Sequence, residues 1–393
     1  MGVSQTVWTV IVILGCFWWI LGAFLNNRTT RLMRPIGEYK SPEPKRWPKV
    51  SIVIPARDEG TALEKATRSK LESDFPDFEV IIVDDRSTDD TPEIADRLAN
   101  EDSRVKVVHI NDLPEGWLGK PYALMRGAEI ANGDYLLFTD ADVRFSEDAI
   151  RKAVALCEDR GFDQLGMAPD LWSRNFTLNV LLVTFVRTYG FGARLWALDN
   201  PNLEPFTGVG AFNLVRRSAY NRTEGFKWLK LDFGDDIALA RLIKRSGGRT
   251  WVVNGVRDLD VDWYGSVSEM VTGLERVCYS TIGNYSASRT IIIALAAFIS
   301  EFLPFICLLF VAGTWLQWVC IFMIALGMVN AIGMSRYWGG PVLPALLYPV
   351  GSAMLIYTVL RGGILGGLRG GVNWRGTFYP REMLIKGRRI GLP

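Results

Sequence analysis

Two hydrophobic patterns alternate along the chain: long apolar blocks without charge, and short apolar runs separated by polar segments. Residues 7–25 (VWTVIVILGCFWWILGAFL) hold no charged side chain. Three further blocks lie near the other end, at residues 291–313, 315–334 and 341–360. About 20 apolar residues cross the ~30 Å of hydrocarbon in a bilayer as a helix. We therefore expect an N-terminal transmembrane helix within residues 1–27 and membrane helices within residues 289–362.

The basic residues beside these blocks predict their orientation. Arg28, Arg31 and Arg34 follow the first block, and residues 363–393 form a basic tail, so both segments are expected in the cytoplasm. Three complete crossings would place the tail outside, and the proline-containing last block is therefore the candidate for a re-entrant segment. A cleaved signal peptide is the alternative for the first block, although no basic residue precedes it. Glu301, within the second block, is costly in a bilayer unless it is paired or hydrated.

The intervening region, residues 45–280, has the pattern of a soluble α/β domain. Its apolar runs predict strands at residues 49–55, 78–83, 104–110 and 135–138. Helices are predicted at residues 61–72, at 120–131, after Thr91 and after Ser146, the last two residues being candidate N-caps. Alternating strands and helices indicate a mainly parallel sheet with helices on both faces. Given its basic flank, we expect this domain in the cytoplasm.

Charged side chains, most of them acidic, follow the ends of the predicted strands. They are Arg57 and Glu59 after the first strand, Asp84 and Asp85 after the second, and Asp140 and Asp142 after the fourth. Because ligands bind at the carboxyl ends of parallel strands, these loops predict a site. Residues two apart in an extended segment point the same way, so Asp140 and Asp142 are expected to share one face. Two carboxylates with phosphate oxygens and water suit Mg²⁺ or Mn²⁺, which would stabilise a departing diphosphate.

Composition excludes several other classes of protein. The chain has 393 residues and a formal net charge of +2, which does not favour nucleic acid as a partner. His109 is the single histidine, so neither a histidine-based zinc site nor a Ser-His-Asp triad is expected. The phosphate-binding pattern GxxxxGK[ST] is absent, and GVG at residues 208–210 lacks the third glycine of GxGxxG. None of the five cysteines forms a C-x-x-C pair, and we interpret them as reduced packing residues.

Four motifs resemble, in order and spacing, the signatures of family 2 glycosyltransferases with the GT-A fold. They are VSIVIPARDEG (50–60), VIIVDDRSTDDT (80–91), GWLGKPYAL (116–124) and YLLFTDADVRF (135–145). The similarity runs from about residue 49 to residue 262, where FTGVGAFNLVRRSAY and FGDDIALARLIKRSGG continue it. The membrane blocks and WRGTFYP (374–380) are similar to the membrane-bound subset that glycosylates lipids. That subset includes ceramide glucosyltransferases and enzymes associated with hopanoid and carotenoid pathways.

This resemblance implies an inverting, metal-dependent transfer of a sugar to a hydroxyl group of a membrane lipid. The implied donor is a nucleotide sugar, expected to be a UDP-sugar. The implied partners are this donor, the lipid acceptor and the phospholipid bilayer, and the implied location is a bacterial plasma membrane with a cytoplasmic catalytic domain. A processive polysaccharide synthase and a non-catalytic membrane scaffold that retains the fold are the alternatives.

The resemblance assigns nucleotide-binding roles to the first three motifs. Asp85, with Asp84 beside it, is implied in binding the base of the nucleotide. Arg57 and Glu59 lie where the first loop is expected to meet the nucleotide. Lys120 is similar to the lysine that approaches the diphosphate.

The later motifs carry the implied roles at the sugar, the metal and the acceptor. Asp140 is implied near the sugar or ribose. Asp142 is implied as a metal ligand, and Asp140 is a second candidate ligand of the same metal. Asp236 of the GDD sequence is implied as the base that takes the proton from the acceptor hydroxyl. Asp235, which replaces the more usual glutamate, is expected to orient Asp236 or to cap the helix that follows, and capping is also open to Asp236.

The acceptor side departs from the family pattern. Many members carry a Q-x-x-R-W sequence, whereas GLERVCYSTIGN in this chain offers Arg276 without the glutamine or the tryptophan. Arg375, next to Trp374, is the other candidate for the same contact, the alternative being that it binds anionic lipid headgroups. Gly208 and Gly210 either let the acceptor approach the backbone closely or form a turn.

Residues 175–198 form an apolar and aromatic segment in the middle of the soluble region, with Arg187 and Arg194 as its only basic residues. We expect an interfacial amphipathic helix that rests the domain on the bilayer. A core helix and a partner surface are the alternatives. An interfacial position would let a lipid acceptor move sideways into the site.

Overall fold

Apolar runs in which nearly every side chain is buried form the strands of a central sheet. The computed structural model describes residues 3–390. The main sheet has seven strands in the order β3-β2-β1-β4-β7-β6-β8, with β5–β9 and β10–β11 as separate pairs. The strands are β1 Val50–Ala56, β2 Phe78–Asp85, β3 Val105–Ile110, β4 Tyr135–Phe138, β5 Arg144–Phe145, β6 Gln164–Ala168, β7 Asn213–Arg216, β8 Thr250–Asn254, β9 Leu259–Asp260, β10 Gly371–Trp374 and β11 Thr377–Pro380. Only β7 runs antiparallel to its neighbours in the main sheet, which confirms the predicted mainly parallel arrangement.

The helices fall into a set that covers the sheet and a set of long apolar helices. They are α1 Val3–Leu32, α2 Gly60–Leu71, α3 Thr91–Glu101, α4 Gly119–Ile130, α5 Ala149–Arg160, α6 Phe176–Gly192, α7 Arg217–Asn221, α8 Asp235–Arg245, α9 Val267–Val277, α10 Ala287–Val311, α11 Leu316–Tyr337, α12 Val342–Ala345, α13 Tyr348–Arg369 and α14 Arg381–Gly387. Alternate residues of a strand point to opposite faces of a sheet. Accordingly, Ile52 packs with Leu63 of α2 on one face, and Val53 packs with Leu124 of α4 on the other.

The predicted N-caps Thr91 and Ser146 are wrong, and Thr91 instead binds the backbone of another loop. Asp90 and Asp148 occupy the N-cap positions of α3 and α5. The Thr91 hydroxyl instead accepts hydrogen bonds from the backbone N–H groups of Glu59 and Gly60, both at 2.9 Å. Short polar side chains compete for neighbouring backbone groups as well as for helix ends. Thr91 therefore fixes the loop that follows β1.

Within residues 3–390, five helices are long and apolar enough to cross a membrane. Their candidate spans are Gln5–Leu32, Phe176–Ala197, Ala287–Val311, Leu316–Tyr337 and Tyr348–Arg369. Helices therefore form in the N-terminal and C-terminal apolar blocks, as predicted. The last block differs from the prediction, because α12 and α13 divide it and α13 continues to Arg369. The number of true crossings and their orientation stay predictions.

Helix α6 packs among the long apolar helices. Leu181 and Val183 are fully buried, whereas Phe176 and Phe191 are partly exposed. Contacts with α1, α11 and α13 surround much of the helix, so the packing favours the alternative of a core helix. Whether this segment also rests on a bilayer surface stays a prediction.

An ion pair links α6 to the apolar helix that carries Glu301. A guanidinium nitrogen of Arg187 lies 2.5 Å from Glu301 Oε2, and the Ser352 hydroxyl donates a hydrogen bond to the same oxygen at 2.8 Å. The two charged side chains are only 8% and 15% exposed. Pairing and hydrogen bonding offset much of the cost of burying a carboxylate.

Replacing Glu301 by Ala is expected to lower the stability of the protein by about 3–5 kcal/mol, because it leaves the Arg187 charge buried without a partner. Thermal unfolding in detergent micelles measures the change. The double variant Arg187→Met/Glu301→Leu should recover most of the loss, since neither charge then remains buried. Asp199→Ala, which breaks the more exposed Arg28–Asp199 pair, is the control and should cost about 0–1 kcal/mol. Equal effects of Glu301→Ala and Asp199→Ala would contradict this account of the buried pair.

Candidate active site

The carboxyl ends of β1, β2 and β4 open at one edge of the sheet because these strands are parallel neighbours. Asp84 and Asp85 end β2, and both are buried. The Arg86 side chain donates to Asp85 at 2.8 Å, and Arg57 lies 4.0 Å from the same carboxylate. Asp84 accepts a hydrogen bond from the backbone N–H of Ser87 and pairs with the ring of His109. The structure thus places Asp85 and Arg57 together, with Asp84 turned towards His109.

A second group of charges surrounds the ammonium group of Lys120. Its Nζ donates to Asp140 Oδ1 at 2.6 Å and lies 3.6 Å from Asp235 Oδ2. Although burial opposes the shift, the carboxylates of Asp140 and Asp235 raise the pKa of Lys120, so the lysine is charged. Gly210 borders this group: a Cβ atom there would lie 2.9 Å from Asp140 Oδ2. The sequence analysis predicted that Lys120 and Asp140 belong to one site, and the two side chains are hydrogen-bonded in the structure.

Asp142 stands beside this group, and the surrounding residues supply it with little positive charge. Burial, followed by the neighbouring carboxylates of Asp140 and Glu59, raises the pKa of Asp142 to about 6. Within residues 3–390, no three His, Cys, Asp or Glu side chains are grouped closely enough to hold a metal ion alone. A cation bound by Asp140 and Asp142 would therefore need further oxygens from a ligand or from water. Hard divalent ions commonly bind in this way, with substrate phosphates completing the shell.

The two acids of the GDD sequence form the first turn of α8. Gly234 occupies the N-cap position, so neither acid is the N-cap residue. Asp235 is buried and turned towards Lys120, while Asp236 Oδ1 accepts a hydrogen bond from the backbone N–H of Ile237 at 2.8 Å. Burial, and next the charge of Asp235, raise the pKa of Asp236 to about 7. A carboxyl group with that pKa can accept a proton near neutral pH.

Gly208 explains how the loop before β7 approaches these acids. A Cβ atom at residue 208 would lie 1.9 Å from the backbone oxygen of Asp236. The Asn213 side chain donates to the same oxygen at 3.3 Å. The glycine is therefore required by close packing against α8. Whether Gly208 and Gly210 also let an acceptor approach the backbone stays a prediction.

Arg276 lies in α9, and the C-terminal hairpin of β10 and β11 covers it. Its guanidinium carbon is 3.2 Å from the ring centroid of Trp374 and 5.7 Å from that of Phe233. Arg375, at the turn of the hairpin, pairs with Glu59 at 2.6 Å. Two candidates that were alternatives in the sequence, Arg276 and Arg375, therefore both lie against Trp374, and Arg375 also contacts the loop after β1.

Sequence reasoning missed Lys70, which is fully buried beneath the loop that carries Asp142. Its Nζ donates to the backbone oxygens of Ala66 and Val143. Burial lowers the pKa of Lys70 to about 7, against the opposing charges of Asp142 and Asp140. The signal was present in the spacing: with Leu63, Lys70 occupies the i and i+7 positions of the buried face of α2, where an apolar residue is expected.

Comparisons with known proteins find similarity to glycosyltransferases. Residues 51–223 match the family model "Glycosyl transferase family 2". Glycosyltransferase AglD of Haloferax volcanii is 44% identical over 99 residues, which are 24% of this chain and 15% of AglD. The beta-monoglucosyldiacylglycerol synthase of Nostoc sp. is 32% identical over 196 residues, 49% of this chain and 40% of that protein.

The similarity to curated proteins and to solved structures has limits. This chain spans less than half the length of each of these two curated relatives. Among solved structures, the mannosyltransferase PcManGT from Pyrobaculum calidifontis, in complex with GDP-Man and Mn²⁺, is 18% identical with a TM-score of 0.49. The compared region covers 92% of this chain and 98% of PcManGT. On the motifs, the sheet and the family match together, residues 51–223 of this chain are a glycosyl transferase family 2 domain.

Proposed function

We propose that the protein transfers a sugar from a nucleotide sugar to the hydroxyl group of a membrane lipid. One observation carries the proposal: Lys120 pairs both with Asp140, which follows β4, and with Asp235, which begins α8. This junction brings the implied donor-binding residues within reach of a candidate base. The five apolar helices support a lipid acceptor, as do relatives such as the beta-monoglucosyldiacylglycerol synthase.

The donor would lie along the edge formed by the first two strands. Asp85, with Arg57 and Arg86 around it, would accept hydrogen bonds from the base, which we expect to be uracil. Asp84 supports this loop through His109 and the N–H group of Ser87. Glu59 would meet the nucleotide from the loop that Thr91 holds in place.

Asp140 and Asp142 fit a divalent cation, Mg²⁺ or Mn²⁺. Burial, and next the carboxylates of Asp140 and Glu59, raise the pKa of Asp142, and a bound cation would relieve the repulsion between these acids. When bound, such an ion supplies positive charge to the departing diphosphate. Lys120, which already pairs with Asp140, would add its own positive charge.

Asp236 would act as the base in an inverting displacement. The acceptor hydroxyl attacks the anomeric carbon, its proton passes to Asp236, and the bond to the diphosphate breaks. Asp235 pairs with Lys120, which also pairs with Asp140. Burial is the larger cause and the charge of Asp235 the second cause of the raised pKa of Asp236, which lets this carboxylate accept a proton at neutral pH. A single displacement at the anomeric carbon inverts its configuration.

Asp142→Ala is expected to lower transfer and donor hydrolysis about 100-fold or more, because transition-state charge on the diphosphate loses its stabilisation. Membranes containing the protein are incubated with Mn²⁺ and a panel of sugar nucleotides, and labelled lipid is identified by mass spectrometry. Glu101→Ala, at the exposed end of α3, is the control and should behave like the wild type. Full activity of Asp142→Ala would exclude the assigned metal role, and a polymeric product would exclude a lipid transferase.

The pH dependence tests the base. Since Asp236 must be ionised to accept a proton and its pKa is raised to about 7, kcat/KM should rise as the pH increases through about 7. Asp236→Asn should lose about 10²–10⁴-fold in rate and this acidic limb with it. Initial rates at saturating Mn²⁺ give the profile. Asp232→Asn is the matched control, because burial also raises the pKa of Asp232 to about 7. If this variant lost the acidic limb of the profile, the limb would report the ionisation of Asp232 and not of Asp236.

A further inference from the structure

The only histidine of the chain lies between two carboxylates in the edge strand of the main sheet. His109 of β3 is paired in register with Asp84 of β2. Its Nδ1 atom is 3.0 Å from Asp84 Oδ2, and its Nε2 atom is 3.1 Å from Asp96 Oδ1 of α3. A neutral imidazole ring carries one N–H donor, whereas the protonated ring carries two. Both contacts are therefore hydrogen bonds only when His109 is positively charged.

The Asp84 carboxylate needs this positive charge because it is buried. Asp84 is only 4% exposed, and a buried carboxylate is costly unless it is paired and hydrogen-bonded. It accepts a hydrogen bond from the backbone N–H of Ser87 at 3.1 Å, and His109 is the cation that pairs with it. The charge of the imidazole ring therefore decides whether this carboxylate is compensated.

Asp84 in turn holds the tight turn that follows β2. The hydrogen bond from the Ser87 N–H group to Asp84 spans Asp85 and Arg86, and Arg86 has a positive φ angle of 57°. A residue other than glycine keeps this conformation only where the surrounding contacts hold it. The same Arg86 donates a side-chain hydrogen bond to Asp85 at 2.8 Å. The turn that presents this pair therefore depends on Asp84 staying in place.

The turn after β2 is also joined to the loop after β1. The Ser87 hydroxyl accepts a hydrogen bond from the backbone N–H of Asp58 at 3.0 Å. Asp58 Oδ1 accepts one from the backbone N–H of Thr88 at 2.7 Å, and Asp58 also has a positive φ angle, 53°. A continuous series of hydrogen bonds therefore runs from His109 through Asp84 into both loops.

We propose that His109 is a positioning residue of the donor site, which acts as an imidazolium and strengthens nucleotide binding while it is protonated. The inference rests on the proposed function, in which Asp85 and its neighbours bind the base. The charged ring holds Asp84, Asp84 holds the turn of residues 84–87, and the turn keeps Asp85 in place before the donor arrives. Such preorganisation raises affinity because less ordering is left to the binding step. Loss of the proton removes the partner of Asp84 and loosens the turn.

The direction of the pH effect follows from the charged groups around the ring. Asp84 from β2 and Asp96 from α3 face it, whereas Lys106 of β3 lies on the opposite face of the sheet and pairs with Glu79. The hydrogen bond with Asp84 raises the pKa of His109, burial opposes this shift, and the bond with Asp96 adds to it. The turn is therefore held fully at acid pH, and the hold is lost as the pH rises through the raised pKa. By linkage, bound nucleotide should raise this pKa further.

The experiment measures nucleotide affinity and the charge of His109 on the full chain in lipid nanodiscs with Mg²⁺. Equilibrium binding of UDP and of GDP is followed from about pH 6 to about pH 9, and each variant is compared with the wild type at the same pH. Since the chain has a single histidine, isotopic labelling of histidine gives NMR signals that report the charge of this ring alone.

Three variants separate the charge from the shape of the side chain. His109→Gln removes the charge, and His109→Lys keeps a positive charge over the whole pH range. Lys106→Gln is the matched control, because Lys106 belongs to the same strand and makes its ion pair with Glu79, away from the donor loops.

At the acid end of the range, His109→Gln should bind the nucleoside diphosphate about tenfold more weakly than the wild type, as expected for one lost charge-assisted hydrogen bond. At the alkaline end the two should bind alike, because the wild-type ring is then neutral. His109→Lys should keep the high affinity throughout, and Lys106→Gln should follow the wild type. The NMR signals should show a charged ring at neutral pH, with deprotonation moved to higher pH by the nucleotide.

A neutral ring at neutral pH in the wild type, or His109→Gln affinity equal to that of the wild type at every pH, would overturn this role of His109 and leave the proposed function standing. Equal weakening in His109→Lys and His109→Gln would overturn it as well, because the charge would then not matter. Failure of the wild type to bind any nucleoside diphosphate would overturn both the role of His109 and the proposed function.

Discussion

The ammonium group of Lys120 holds together a set of carboxylates that would otherwise repel one another. Asp140 comes from the end of β4 and Asp235 from the start of α8, and these elements are far apart in sequence. With the lysine charged, both acids can lie close to one ammonium group without strong mutual repulsion. The donor side and the acceptor side of the proposed reaction therefore depend on one cation for their relative position.

The same cluster explains how acids of one type acquire different properties. Asp140 is paired with Lys120, whereas Asp142 faces mostly other acids, and its pKa is raised to about 6 by burial and then by those neighbours. Burial and the charge of Asp235 raise the pKa of Asp236 to about 7, against the opposing charge of Lys120. Environments that push the pKa values of neighbouring acids apart allow one to bind a cation while another accepts a proton.

Much of this arrangement could be predicted from local sequence. Buried strands with β-branched residues, and acids directly after them, predicted the sheet and the meeting of those acids, because the ends of parallel neighbouring strands lie at one edge. The N-caps were mispredicted since Thr91 satisfies the backbone of another loop, a contact that no local pattern contains. Lys70 was overlooked for a similar reason: its two carbonyl partners explain a lysine at an apolar position only once α2 lies against the loop after β4.

The surroundings of Arg276 could not be predicted from a motif because they are assembled from distant segments. The family pattern places an arginine and a tryptophan next to each other in one helix, and here the arginine has no such neighbour in sequence. Trp374, almost a hundred residues later in the chain, lies against Arg276 in the structure. A planar cation stacked on an aromatic ring needs only a ring face within about 6 Å, so either a neighbouring residue or a docked hairpin can supply it. Because the ring of Trp374 belongs to the hairpin, the surroundings of Arg276 depend on a segment outside residues 51–223. The hairpin follows α13 directly, so this contact links the catalytic domain to the end of the last apolar helix.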